Sequence, residues 1–154
     1  MTSLKSGLKS KELVKASIFT LAISSHAVSA EVDSSRAYSD AQLLGSCAGM
    51  LEFYSQVQAA QGNTANAADL HQKANGWRIA TIGALSVAGW KNENIVSTAD
   101  SIYGGALASW RAAVERNDPK IVEKLDESTM KCLAADFKQE IYREIAKSKY
   151  FTNP

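Results

Sequence analysis

The sequence predicts an all-α protein, an antiparallel four-helix bundle stapled by one disulfide. Three observations carry that prediction. Apolar residues recur at steps of three and four along four separate stretches, the spacing of one helix face. No segment alternates apolar and polar residues with period two, so no strand is indicated. Both cysteines, Cys47 and Cys132, fall within such stripes, one in the first helix and one in the last.

With 154 residues the chain has room for one domain. It opens on Lys5, Lys9, Lys11 and Lys15, continues through an apolar run at 16–23, and reaches small residues ending at Ala30. That order is the signature of a secretory signal peptide cut after Ala30. The run is too short to cross a bilayer, which takes about 20 residues. The expected layout is a signal peptide over 1–30, a flexible leader over 31–38, one helical domain over 39–150 and a tail over 151–154. The first thirty residues hold four of the 17 basic groups and one of the 16 acidic ones, so removing them leaves a net charge of −2. No basic stripe remains to neutralise phosphates, which argues against a nucleic-acid partner. The expected location is the periplasm, or outside the cell, with no stable membrane insertion after signal removal.

Ser39 followed three positions later by Gln42 forms a capping box. Leu43, Leu44, Cys47, Met50, Leu51, Tyr54 and Val57 then mark a first helix over about 40–61, stopped by Gly62 and Asn63. The second helix starts near Thr64 or Asn66 and runs to about Gly89; it carries no charge from Ile79 to Trp90, so its latter half belongs in the most enclosed position. The third, over about 95–116, shows Ile95, Ala99, Ile102, Tyr103, Ala106 and Trp110 on one side. Asp118 and Pro119 then supply an N-cap and a first helical residue. The last helix runs to about Ser148, with a bend suggested near Ser128, and its inner face is expected to hold Val122, Leu125, Cys132, Leu133, Phe137 and Ile141.

Leu44, Gly45, Ser46 and Cys47 have the look of a lipobox, but Glu31, Asp33, Arg36 and Asp40 separate them from the apolar signal core. Cys47 is therefore not a lipid anchor. Two core-facing cysteines on neighbouring helices in an oxidising compartment cross-link. They lie 85 positions apart. The chain-entropy model assigns about 4–4.7 kcal/mol to a loop of that size.

Catalytic and metal chemistry find little support. The sequence lacks Cys-x-x-Cys-His, and His71 is the single histidine after the signal, too few for the usual zinc site or a di-iron bundle. No nucleophile motif accompanies it. Asp136, Glu140 and Glu144 fall on one ridge, but Arg143 and Lys147 sit three residues on from the last two, the spacing of surface ion pairs. No Gly-rich phosphate loop is present, and neither a cofactor nor a metal is expected. Small residues are more telling. Gly76, Ala80 and Ala84 form one ridge, and Gly104, Ala108 and Ala112 another, both expected at close helix contacts. Gly45 and Gly49 lie about 160° from Cys47 around the first helix, so they are read as an outward face. Together with Phe53 and Trp90, which fall off the apolar stripes, they are the expected partner contacts.

These features lead to a small periplasmic, non-catalytic interaction module of an inhibitor type, an immunity protein being one version. The alternatives are a carrier with an apolar cavity between helices and an enzyme whose site carries no known motif.

Overall fold

A computed structural model of the protein describes residues 33–151. The expected signal peptide, the start of the leader and the last three residues of the tail lie outside the described residues. Five α-helices follow in order: α1 (Ser34–Ala60), α2 (Thr64–Val87), α3 (Asn92–Glu115), α4 (Ile121–Ala134) and α5 (Asp136–Ala146). A single π-helical turn, Lys147–Phe151, follows α5. Among the described residues there is no strand.

Contacts between the helices give their directions. Ser55 donates to the Ala67 carbonyl and Glu52 meets His71, so α1 and α2 are antiparallel. Gly45 faces Ile102 and Gln56 meets Arg111, so α3 runs parallel to α1. Cys132 is bonded to Cys47 and Thr129 lies beside Met50, so α4 again runs against α1. The result is the expected up-down-up-down bundle, with its last helix in two pieces.

Helix ends follow backbone chemistry that the sequence displays. Gly62 and Gly89 close α1 and α2 with φ of 82° and 84°, the left-handed region that suits glycine. Asn117 takes the same role after α3 at φ 50°, and the Asp118 amide reaches back to the Ala113 carbonyl. Asp118 accepts from the Lys120 amide and from Lys124 Nζ, steadying the turn that feeds α4.

The start of α1 differs from expectation. Asp33, not Ser39, caps it, accepting from the Ser35 amide at 2.9 Å. The segment read as leader is therefore helical from Ser34. The cause is tertiary: one added turn buries Ala37 completely.

The expected fourth helix breaks at Ala135. No Gly or Pro marks the place, and Ala135 is itself buried. The disulfide holds α4 on α1, whereas α5 leans onto α2, where the Tyr142 carbonyl lies against Gly83. A straight helix cannot meet both demands. Val122 and Leu133, expected inside, precede the break and stand outside because the bridge turns Cys132 inward, about 80–100° from them around α4. Phe137, also expected inside, lies just after the break and is exposed as well.

Alanine dominates the core, with Ala37, Ala41, Ala48, Ala80, Ala84, Ala99 and Ala146 fully buried. Such small side chains let the helix axes approach, and glycine takes over at the closest points. A Cβ on Gly49 would stand 2.7 Å from the Tyr103 carbonyl oxygen and 2.8 Å from the Leu107 amide nitrogen. Gly45 packs on Ile102 in the same contact. These two glycines were read as outward. They are buried because α1 is covered on both sides, by α4 at Cys47 and by α3 opposite. The reverse holds for Gly104, read as part of a packing ridge, and for its neighbour Gly105, since a Cβ at either would meet nothing within 4 Å.

Glycine-to-alanine changes therefore have opposite effects. Gly49→Ala pushes against backbone and is expected to destabilise by roughly 1–3 kcal/mol. Gly104→Ala and Gly105→Ala gain helix propensity without a clash and are expected to stabilise by up to about 1 kcal/mol each. Urea denaturation of the three variants checks both signs. Replacing both cysteines with serine is expected to remove about 4.5 kcal/mol through the 85-residue loop, read from the same curves.

Candidate functional site

Four residues were expected to meet a partner, and the structure keeps one of them at the surface. Gly45 and Gly49 are enclosed by α3. Phe53 is only 7 % exposed and lies against the rings of Tyr54 and Trp110. It points into the α1–α3 contact, which a single-stripe reading of α1 leaves out. Trp90 is exposed and stacks on Tyr38 with centroids 5.8 Å apart, joining the α2–α3 link to the first turns of α1. Cys47 and Cys132 form the expected disulfide.

Polar groups meet at two helix junctions. At the first, His71 Nδ1 lies 2.7 Å from Glu52 Oε2, and Asn75 stands 3.2 Å from His71 Nε2. Both imidazole nitrogens are thus engaged, so the ring orients α2 on α1 and offers no spare nitrogen. Nearby Arg78 pairs with Asp100 across α2 and α3, which raises the guanidinium's already high pKa. Tyr103, beside them, is raised first by burial and then by the Glu52 charge. Among the described residues no three His, Cys, Asp or Glu side chains gather closely enough to hold a metal ion.

Asp40 of α1 and Tyr142 of α5 make the second junction. The phenol donates to Asp40 Oδ2 at 2.9 Å while Lys138 reaches Oδ1 at 2.7 Å. Burial, and then the hydrogen bond to Asp40, hold the Tyr142 phenol well above its ordinary value. The acidic ridge of α5 behaves as its spacing implied: Glu140 pairs with Arg143, and Glu144 with Lys147, which lowers the Glu144 carboxyl. These are solvated ion pairs, worth little individually.

A surface that the sequence did not disclose lies on α4 and the start of α5. Val122, Met130, Leu133 and Phe137 are 67 %, 66 %, 65 % and 74 % exposed. At 100° per residue Val122, Asp126 and Leu133 fall within about 40° of one another, with Met130 about 40° further round. Glu123 and Asp126 stand among them, and neither makes an ion pair or side-chain hydrogen bond among the described residues. Three of the four precede the break at Ala135; they face outward because the bridge turns Cys132 to the buried side, about 80–160° from them around α4.

The fold and these surfaces define a disulfide-stapled helical bundle with an apolar, acid-flanked outer face. Compared with protein-family models, with curated proteins and with solved structures, the chain matches none of them. No helix among the described residues is long and apolar enough to cross a membrane.

The Asp40–Tyr142 junction has a definite pH signature. Its folded phenol is raised, so the stability it contributes is complete below about pH 10, the unfolded value, and is lost as pH rises through the folded value. Tyr142→Phe keeps Asp40 paired with Lys138. The variant is expected to lose about 1 kcal/mol at pH 7 and to show a shallower decline between pH 10 and 12. Urea midpoints across that range measure it.

Proposed function

We propose that the protein is a non-catalytic protein-interaction module of the inhibitor type, exported to the periplasm, which docks a partner on the outer face of α4 and the first turn of α5. The observation that carries this reading is the exposure of Val122, Met130, Leu133 and Phe137 together. Large apolar side chains grouped at a surface mark interaction sites more often than isolated ones do. The disulfide supports an oxidising compartment. It also pre-organises α4, lowering the ordering cost of binding.

Flanking charge specifies the partner. Glu123 and Asp126 are unpaired carboxylates set among the apolar side chains, so the complementary surface is apolar and basic, as on an amphipathic helix carrying lysine or arginine beside its leucines. The same carboxylates oppose an anionic lipid surface. An apolar cargo finds less support. The groove beside the disulfide, about 310 Å³, mixes Leu43 and Trp110 with Gln42, Ser46, Ser128 and Lys131.

The test uses a synthetic amphipathic helix with leucine on one face and lysine on the other. The disulfide-bonded protein is expected to bind it, more weakly at high salt. Leu133→Asp combined with Phe137→Asp is expected to weaken binding at least about tenfold, with stability within about 0.5 kcal/mol per substitution, as for exposed positions. Equal binding by parent and double variant, or preference for an acidic helix or for phosphatidylglycerol vesicles, overturns the reading. Isothermal calorimetry and thermal melting provide the two readouts.

A further inference from the structure

α4 is held on the bundle by little besides the bridge. Among its 14 residues only Cys132 is buried. Ile121, Leu125, Ser128 and Thr129 are half-buried, and Leu125 packs on the core. No ion pair joins α4 to another helix among the described residues: Lys131 pairs with Glu127 inside α4, and Lys124 with Asp118 in the turn before it. Thr129 donates to the Leu125 carbonyl within α4 and stands 3.9 Å from Met50 Sδ, a weak acceptor, in the one polar side-chain contact with α1 among the described residues. The neighbouring helices are fixed by more. α3 buries Ile95 and Ala99 and pairs Asp100 with Arg78 and Arg111 with Gln56. α5 buries Tyr142 and Ala146 and brings Tyr142 and Lys138 to Asp40.

α4 is also bounded at both ends, by the turn at 117–120, where Asn117 takes φ 50°, and by the break at Ala135. Isolated helices shorter than about 12–15 residues are marginal in water. Without the bond to Cys47, α4 has that length and only Ile121, Leu125 and its cysteine to bury. The bond itself is reachable. Both cysteines line the groove beside it, together with Leu43, Trp110, Ser128 and Lys131. Cys132 is the less buried of the two, 8 % exposed against 1 % for Cys47. Thiol–disulfide exchange requires such access to one sulfur.

We propose that the bridge is a redox latch on α4: a dithiol reductant opens it, and α4 leaves α1 as a strap anchored at 117–120 and at Ala135, while α1, α2, α3 and α5 stay packed. A thiolate of the dithiol attacks Cys132 Sγ and forms a mixed disulfide as the bond to Cys47 breaks. Cys47 leaves as a thiolate and takes up a proton. The second thiol of the reductant, giving up its proton, then displaces Cys132, which is protonated in turn. The bridge has gained two electrons and two protons, and the dithiol has become a disulfide. Release uncovers the side of α1 that carries Cys47 and Met50. The latch belongs to the scaffold and is independent of any partner on the outer face of α4.

Hydrogen exchange of the whole protein, read by mass spectrometry with and without millimolar dithiothreitol, tests it. Alkylation of both cysteines without denaturant is expected to report the open bridge. In the reduced protein the amides of 122–134 are expected to exchange within about tenfold of the unstructured rate, whereas those of 44–57, 77–85 and 138–146 stay at least about a hundredfold slower than that rate. Cys47→Ser combined with Cys132→Ser is expected to show the same pattern with no reductant, and reoxidation of the parent to restore the protection of α4. The proposal is overturned if the bridge resists dithiothreitol short of unfolding. It is overturned equally if α4 and the other helices exchange alike once the bridge is open, whether all stay protected or all lose protection. Failure of the double variant to fold counts as the latter, since the bridge would then hold the whole fold and not α4.

Discussion

The covalent tie between Cys47 and Cys132 sets the geometry on which the rest depends. It places α4 along the middle of α1, antiparallel, with their Cα atoms 5.7 Å apart at the bridge. α5 must nevertheless reach the side of α1 and α2 where Tyr142 is buried and Gly83 leaves room for its backbone. The chain reconciles these positions by a one-residue break at Ala135. Val122, Met130 and Leu133, which precede the break, face outward because the bridge turns Cys132 inward, about 80–160° away around α4. Just after the break Phe137 is exposed as well, and Gln139 turns toward α2.

Around that tie, stability rests on closeness more than on bulk. The core has few large side chains, Leu44, Leu85, Ile95 and Tyr142 among them, and many alanines. Burying an alanine removes little apolar area, so each contributes less than a leucine would. The compensation is dense contact between backbones, reached where Gly49 meets Tyr103 and Leu107, and where Gly83 meets Tyr142. A disulfide suits such a core because it acts largely on the unfolded ensemble and not through contact area. Polar junctions then fix the rotation of one helix on another. Asp40 with Tyr142 and Lys138, and Arg78 with Asp100, each join groups far apart in sequence, which an alternative register would leave unpaired.

Much of the fold was legible in the sequence, for identifiable reasons. Helix periodicity is strong here, and Gly62 and Gly89 punctuate it where the backbone needs a positive φ. The bridge was legible because each cysteine lies within an apolar stripe and no third cysteine competes. The start of α1 was not, since Asp33 and Ser39 are both competent caps and only the burial of Ala37 decides between them. Gly45, Gly49 and Phe53 were misplaced for a single reason. A stripe analysis assumes that a helix has one buried side, whereas α1 is covered by α4 at Cys47 and by α3 at Gly49. The break at Ala135 has no local signature at all. Propensity favours helix straight through the alanines around it, and tertiary demand overrides that preference. The α4 face was missed for another reason: the stripe reading admitted Val122 and Leu133 to the buried side, although they stand about 80–100° from Cys132, which the bridge turns inward.

The α4 face asks for rigidity. An apolar face binds best when its helix is already ordered, and the bridge at Cys132 supplies that order. α5 is held by different means: Tyr142, bonded to Asp40 and packed on Gly83, and Ala146, fully buried, fix it on α1 and α2. The two halves of the last helix are thus anchored separately, α4 covalently and α5 by close backbone packing, and the break at Ala135 lets each keep its own anchor.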